Sequence, residues 1–124
     1  MVEYRIELIQ VPVADLNRSR EFYGETLGWS VDWDVEVDEK THFIQVTPPG
    51  SAASIAFGRG VSEMPPGSLH ALQVVVDSAD QALADLTARG VEARGVEDLG
   101  WGRFVFFSDP DGNSWAVQEL PKHE

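Results

Sequence analysis

The 124-residue sequence predicts an α+β fold of two tandem βαβββ modules, and three observations support this. The stretch Ile9-Gln10-Val11-Pro12-Val13 returns as Leu72-Gln73-Val74-Val75-Val76. Each copy is followed by a helix-capping residue and a short amphipathic pattern, and each pattern is followed by strand-like runs separated by turn residues. The length suits one compact core and leaves no room for a second. The expected organisation is a single domain over residues 1–124, with module one at 1–58, a linker at 59–67 and module two at 68–120.

In module one, Asp15 is a good N-cap, Leu16, Phe22, Tyr23 and Leu27 form the apolar stripe, and Gly28 sits where a left-handed C-terminal residue belongs. From Val31 to Asp38 apolar and acidic residues alternate. This places Val31, Trp33, Val35 and Val37 on one face, with Trp33 in the core, and turns four carboxylates to water, where they keep ordinary pKa values and protect a sheet edge. His42 to Thr47, the turn Pro48-Pro49-Gly50-Ser51 and Ala53 to Phe57 complete the module as a hairpin. Arg59 to Gly67 is aperiodic and rich in breakers.

Module two repeats the order: strand 69–76, helix 79–89, and strands 91–97, 103–108 and 113–119. Ser78 and Gln81 make a capping box, Gly90 stops the helix, and Asp109-Pro110-Asp111-Gly112 turns the last hairpin. Trp115 falls in a core register, whereas Trp29 has no assigned place.

The composition, 43% apolar and 24% charged, is that of a globular protein, and no apolar run approaches the roughly 20 residues of a membrane helix. The start, Met1 to Arg5, lacks the basic and apolar regions of a secretory signal, so a cytoplasmic location is expected. The absence of cysteine excludes disulfides, thiolate metal sites and cysteine nucleophiles. A net charge of -12 would repel nucleic acid and favour a cationic ligand.

Val13-Ala14-Asp15 with Ser19, Phe22-Tyr23 and Leu27-Gly28, followed at a distance by Asp109-Pro110-Asp111-Gly112-Asn113, resembles the vicinal oxygen chelate superfamily of glyoxalases, extradiol dioxygenases and bleomycin-resistance proteins. The resemblance covers nearly the whole chain. It implies that the two modules curl into a curved mixed-sheet cup with helices outside, that the motif residues build the scaffold, and that the protein is a homodimer. In metal-using members four strand positions supply the ligands; by the resemblance these are Leu8, Ala56, Ala71 and Ala116, none with a donor atom. No metal and no cofactor is therefore expected.

Alternation then predicts which residues face the cup: Leu8 and Gln10 on the first strand, Phe43, Gln45, Thr47, Ser54 and Ala56 on the hairpin, and Ala71, Gln73, Ala116 and Gln118 in module two. Trp101, between two glycines, suits a lid or a stacking surface, and Arg103 an anion anchor. His42 and His70 are expected to face away, and His123 lies in the tail. The catalytic residues are not specified. An apolar cavity with a few amides suits metal-free binding of a small organic molecule, cationic or aromatic. The alternatives are a lyase, isomerase or dioxygenase-type enzyme, metal-independent or with other ligands, and a purely structural module.

Overall fold

The structure is a computed structural model that describes residues 2–70 and 72–121; Ala71 and His123 lie outside the described residues. In chain order it contains β1 (Leu8–Gln10), α1 (Leu16–Arg20) continuing into a π-helical segment (Glu21–Thr26), β2 (Ser30–Glu36), β3 (His42–Thr47) and β4 (Ser54–Arg59). Module two follows with β5 (Leu72–Val76), α2 (Ala79–Ala88), β6 (Glu97–Asp98), β7 (Arg103–Ser108) and β8 (Ser114–Glu119). The strands form two open four-stranded mixed sheets, ordered β1-β4-β3-β2 and β5-β8-β7-β6. In each the first strand runs parallel to the last, and the hairpins are antiparallel.

Local chemistry sets the helix ends. The Asp15 side chain accepts from the N–H groups of Asn17 and Arg18, and Ser78 from that of Gln81, satisfying donors a first turn leaves unpaired. The chain leaves both helices through glycines with positive φ, Gly28 at 71° and Gly90 at 80°. The i→i+5 winding after α1 brings the N–H of Leu27 to Phe22 O at 2.9 Å. Neighbouring Phe22 and Tyr23 both reach the interior, their rings edge to face at 5.1 Å.

One core serves both modules. Tyr23, Ile44, Val46, Ile55 and Phe57 pack with Leu72, Val105, Phe107, Trp115 and Val117. Trp29, which the sequence leaves unplaced, lies edge to face with Trp115 at 5.2 Å.

The two motif segments are bonded to each other. Asp109, buried in the core, accepts through Oδ2 from the Tyr23 hydroxyl at 2.7 Å and Asn113 Nδ2 at 2.8 Å, and through Oδ1 from the N–H groups of Asp111 and Asn113. Burial and the Asp109 carboxylate push the Tyr23 hydroxyl far above its usual pKa, so it remains a donor. Trp115 Nε1 donates to the same hydroxyl at 3.0 Å. Asp111 accepts from Ala14 N and Arg18 Nη2, and Asn113 Nδ2 donates to Pro12 O at 2.8 Å. Gly67 closes the junction: its φ is +78°, its N–H donates to Pro12 O, and a Cβ there would lie 2.1 Å from Asp111 O.

Three expectations are corrected. Strand 91–97 shrinks to Glu97–Asp98, because Val91 turns into the core and its N–H bonds back to Leu86 O. The strand expected from residue 69 begins at Leu72. The strict alternation of β2 fails at a register shift between Val31 and Trp33. Val31 stays opposite core residue Val46, whereas Trp33 lies opposite Gln45, and Trp33 is exposed rather than buried in the core.

Candidate functional site

Residues paired directly across a ladder share a face, so the registers sort every strand side chain into a core face and an open face turned away from it. On the first sheet Ile55, Val46, Phe57 and Ile44 point into the core. The open face carries one row of Gln10, Ala56, Gln45 and Trp33, with Leu8, Ser54 and Thr47 on one side and Phe43 with Val35 on the other. On the second sheet Leu72, Trp115 and Phe107 are core residues. Its open face carries Gln73, Ala116 and Phe106 in one row and Val75, Gln118 and Phe104 in the next.

Every described strand residue expected to face the cup thus falls on an open face, and Arg103, expected as an anion anchor, does not. Arg103 lies in the row of Val76 and Glu119, on the α2 side. Its Nη1 donates to Asp80 Oδ2 at 2.9 Å and lies 3.6 Å from Glu119 Oε1, so these carboxylates hold the guanidinium intended for an anion. The pairing with Arg103 also holds the Asp80 carboxyl below its usual range. His42 is turned to the core side, where its ring Nε2 lies 2.5 Å from Asp34. Asp34 also accepts from Arg20 Nη1, and these partners, His42 foremost, hold its carboxyl below the usual range. His70 is exposed, ahead of β5.

The open faces differ in chemistry. At the top of the first, Thr47 lies 2.6 Å from Ser54 and donates to Asp32, which also accepts from Ser30 at 2.7 Å. These two bonds, Thr47 first, depress the Asp32 pKa and keep a carboxylate at this end. On the second, Gln73 Nε2 donates to Gln118 Oε1 at 2.5 Å and Gln118 Nε2 to Trp101 O at 2.9 Å. Phe104 and Phe106 are stacked with centroids 5.7 Å apart, and the Trp101 ring meets Phe104 edge to face at 6.3 Å.

Both faces display apolar side chains to water. Trp33 is 60% exposed, Val75 62% and Trp101 65%. Grooves flank them, one of about 730 Å³ between Gln10 and residues 60–64, another of about 440 Å³ beside Gly100, Gly102 and Leu120. Among the described residues, no group of three or more His, Cys, Asp or Glu could hold a metal ion, and no helix is long and apolar enough to cross a membrane.

Sequence reasoning missed Trp33, Val35, Asp32, Phe104 and Phe106. The bulge turns Trp33 and Val35 to the open face, and alternation makes Asp32 a carboxylate facing water rather than a partner of Thr47 and Ser30. Phe104 to Phe107 is apolar on both faces, so alternation alone gives no reason to turn Phe104 and Phe106 toward a ligand.

The scaffold is a tandem of two modules, each ending in a mixed sheet with an open face that carries amides and aromatic rings. Residues 5–117 match the Glyoxalase/Bleomycin resistance protein/Dioxygenase superfamily, and the chain belongs to it. Among solved structures it is similar to TnmS3, an antibiotic binding protein from Streptomyces sp. CB03234, at 35% identity, covering 98% of this chain and 99% of that one with a TM-score of 0.87. A glyoxalase/bleomycin resistance protein from the same organism is 36% identical over 92% of this chain and 99% of its own, with a TM-score of 0.79. The uncharacterised protein YetH of Bacillus subtilis (strain 168) is 26% identical, covering 93% of this chain and 98% of its own.

Proposed function

We propose that this chain binds a small organic molecule with an aromatic portion, without a metal ion, in a cleft made by the open face of module one and that of module two. The observation that carries the proposal is the chemistry of those faces. They combine exposed Trp33 and Trp101 with stacked phenylalanines and neutral glutamines, while Leu8, Ala56 and Ala116 offer no ligating atom. Such a surface gains affinity from apolar burial and selectivity from amides that must be paired. The likeness to TnmS3 supports a ligand of the antibiotic kind.

The same observations favour a homodimer in which each cleft takes one face from each copy. The shared core fastens the two modules by their other faces, and the groove at Gln10 is lined by residues 60–64. Exposed apolar surface on both faces and at Val2, Tyr4 and Ile6 calls for a cover.

Native mass spectrometry of protein purified from its own host tests all parts together. The expected result is a dimer that carries an unmodified organic molecule and no stoichiometric metal. Stoichiometric zinc, nickel, iron or manganese, removed by a chelator together with an activity, would overturn it.

A further inference from the structure

The amide chain on the second open face has a direction that the backbone imposes. Trp101 O can only accept a hydrogen bond, so Gln118, 2.9 Å away, must present its Nε2 to it. Gln118 is buried, which leaves its Oε1 to take the Nε2 of Gln73 at 2.5 Å. Gln73 is thereby fixed with its nitrogen inward. Its Oε1 has no hydrogen-bond partner among the described residues and lies on an exposed side chain of the open face. An isolated glutamine would flip its amide to suit either a donor or an acceptor; this one is held by a chain that ends on a main-chain carbonyl.

The anchor itself is tightly packed. A Cβ on Gly102 would lie 2.7 Å from Gln118 Nε2 and 2.9 Å from Glu119 O, so the loop rests directly on Gln118 and Glu119. Leu99 N donates to Gly102 O, and Gly100 N to Asp98 Oδ1, which hold the turn in place. The Trp101 ring projects from this loop beside Phe104, so one short segment sets both the aromatic wall and the polarity of the amide next to it.

We infer that the ligand is an aromatic molecule carrying a hydrogen-bond donor, a hydroxyl or N–H group, that pairs with Gln73 Oε1 while its ring lies against Trp101 and Phe106. This deepens the proposed function and rests on it. A ligand with only an acceptor there would leave the carbonyl oxygen of Gln73 unpaired on burial, a penalty the donor-bearing ligand avoids.

The experiment compares 2-naphthol with 2-methoxynaphthalene by titration calorimetry on the intact protein and on Gln73→Leu, an exposed position outside the hydrophobic core whose replacement also leaves Gln118 Oε1 without its donor. The wild type is expected to bind the naphthol roughly tenfold or more tightly than its more apolar ether, and Gln73→Leu to bring the ratio to about one. Equal binding of the two by the wild type, or a preference that survives in Gln73→Leu, overturns the donor rule while leaving aromatic binding standing. Failure of both compounds to bind the wild type removes the aromatic cleft and this inference with it.

Discussion

Module one closes its sheet with a seven-residue strand, β2, whereas β6 in module two contains two residues and meets β7 only at Glu97–Phe104 and Asp98–Arg103. The residues before β6 are spent on the core instead: Val91 is buried there, with Ala93 and Val96 packed against it. A groove of about 1050 Å³ opens between residues 90–94 and Phe106 to Pro110. The open faces diverge as well, the first ending in a carboxylate held by hydroxyls, the second in a directed row of amides over stacked rings. The core faces stay alike, each filled with aliphatic and aromatic side chains. Close packing constrains what faces inward, while the outward face is free to acquire new chemistry, so a duplicated scaffold keeps its interior and changes its surface.

The hairpin turns sharpen the comparison most. Asp109→Ala would strand the Tyr23 hydroxyl and the Asn113 amide in the core and should lower stability by roughly 3–5 kcal/mol in urea unfolding. Ser51→Ala, in the module-one turn where an exposed hydroxyl donates to Ala53 O, should change it by less than about 0.5 kcal/mol. Equal effects would break the contrast between a turn whose Asp109 bonds to the other module and one whose hydroxyl bonds only locally.

Tyr23→Phe should cost about 1–3 kcal/mol by removing the hydroxyl between Asp109 and Trp115. Its pH dependence carries a sign. The folded-state pKa is raised, so this contribution is complete below the ordinary tyrosine value near 10 and falls as pH rises above it, because only the unfolded chain ionises there. Denaturant melts between pH 9 and roughly 11.5 should show a shallower alkaline decline in Tyr23→Phe than in the wild type.

Hydrogen exchange gives a smaller contrast: the alternate amides of edge strand β2 that face β3 should be protected, and those of residues 92–96 should exchange at loop-like rates. The least effect belongs to Arg103→Ala, which removes a solvent-exposed pair with Asp80 on the α2 side and should leave aromatic ligand affinity within about twofold of the wild type. A large loss of binding would bring Arg103 back to the cleft.

The fold was legible because its signals are local and repeated. Asp15, Ser78, Gly28 and Gly90 mark helix ends by their own chemistry, and the Asp109-Pro110-Asp111-Gly112 turn announces a hairpin. The candidate site was half legible. Period-two alternation turns Gln10, Gln45, Gln73 and Gln118 to the open faces, and it holds wherever the ladder is regular. It fails at Asp32, where one extra residue reverses the facing of Trp33, since nothing in an alternating run of valines and acids marks a bulge. The pairing of Arg103 was not legible because its partners, Asp80 and Glu119, come from separate elements that only the fold brings together.

The segment Glu63 to Pro66 between the modules is exposed, yet the chain on either side of it is pinned where Gly67 meets Pro12 and Asp111. A protease nick in that segment would cut the covalent tether and leave the noncovalent clasp in place. The fragments would stay associated under native conditions and part only in denaturant, and genes encoding them separately could reconstitute the protein by complementation.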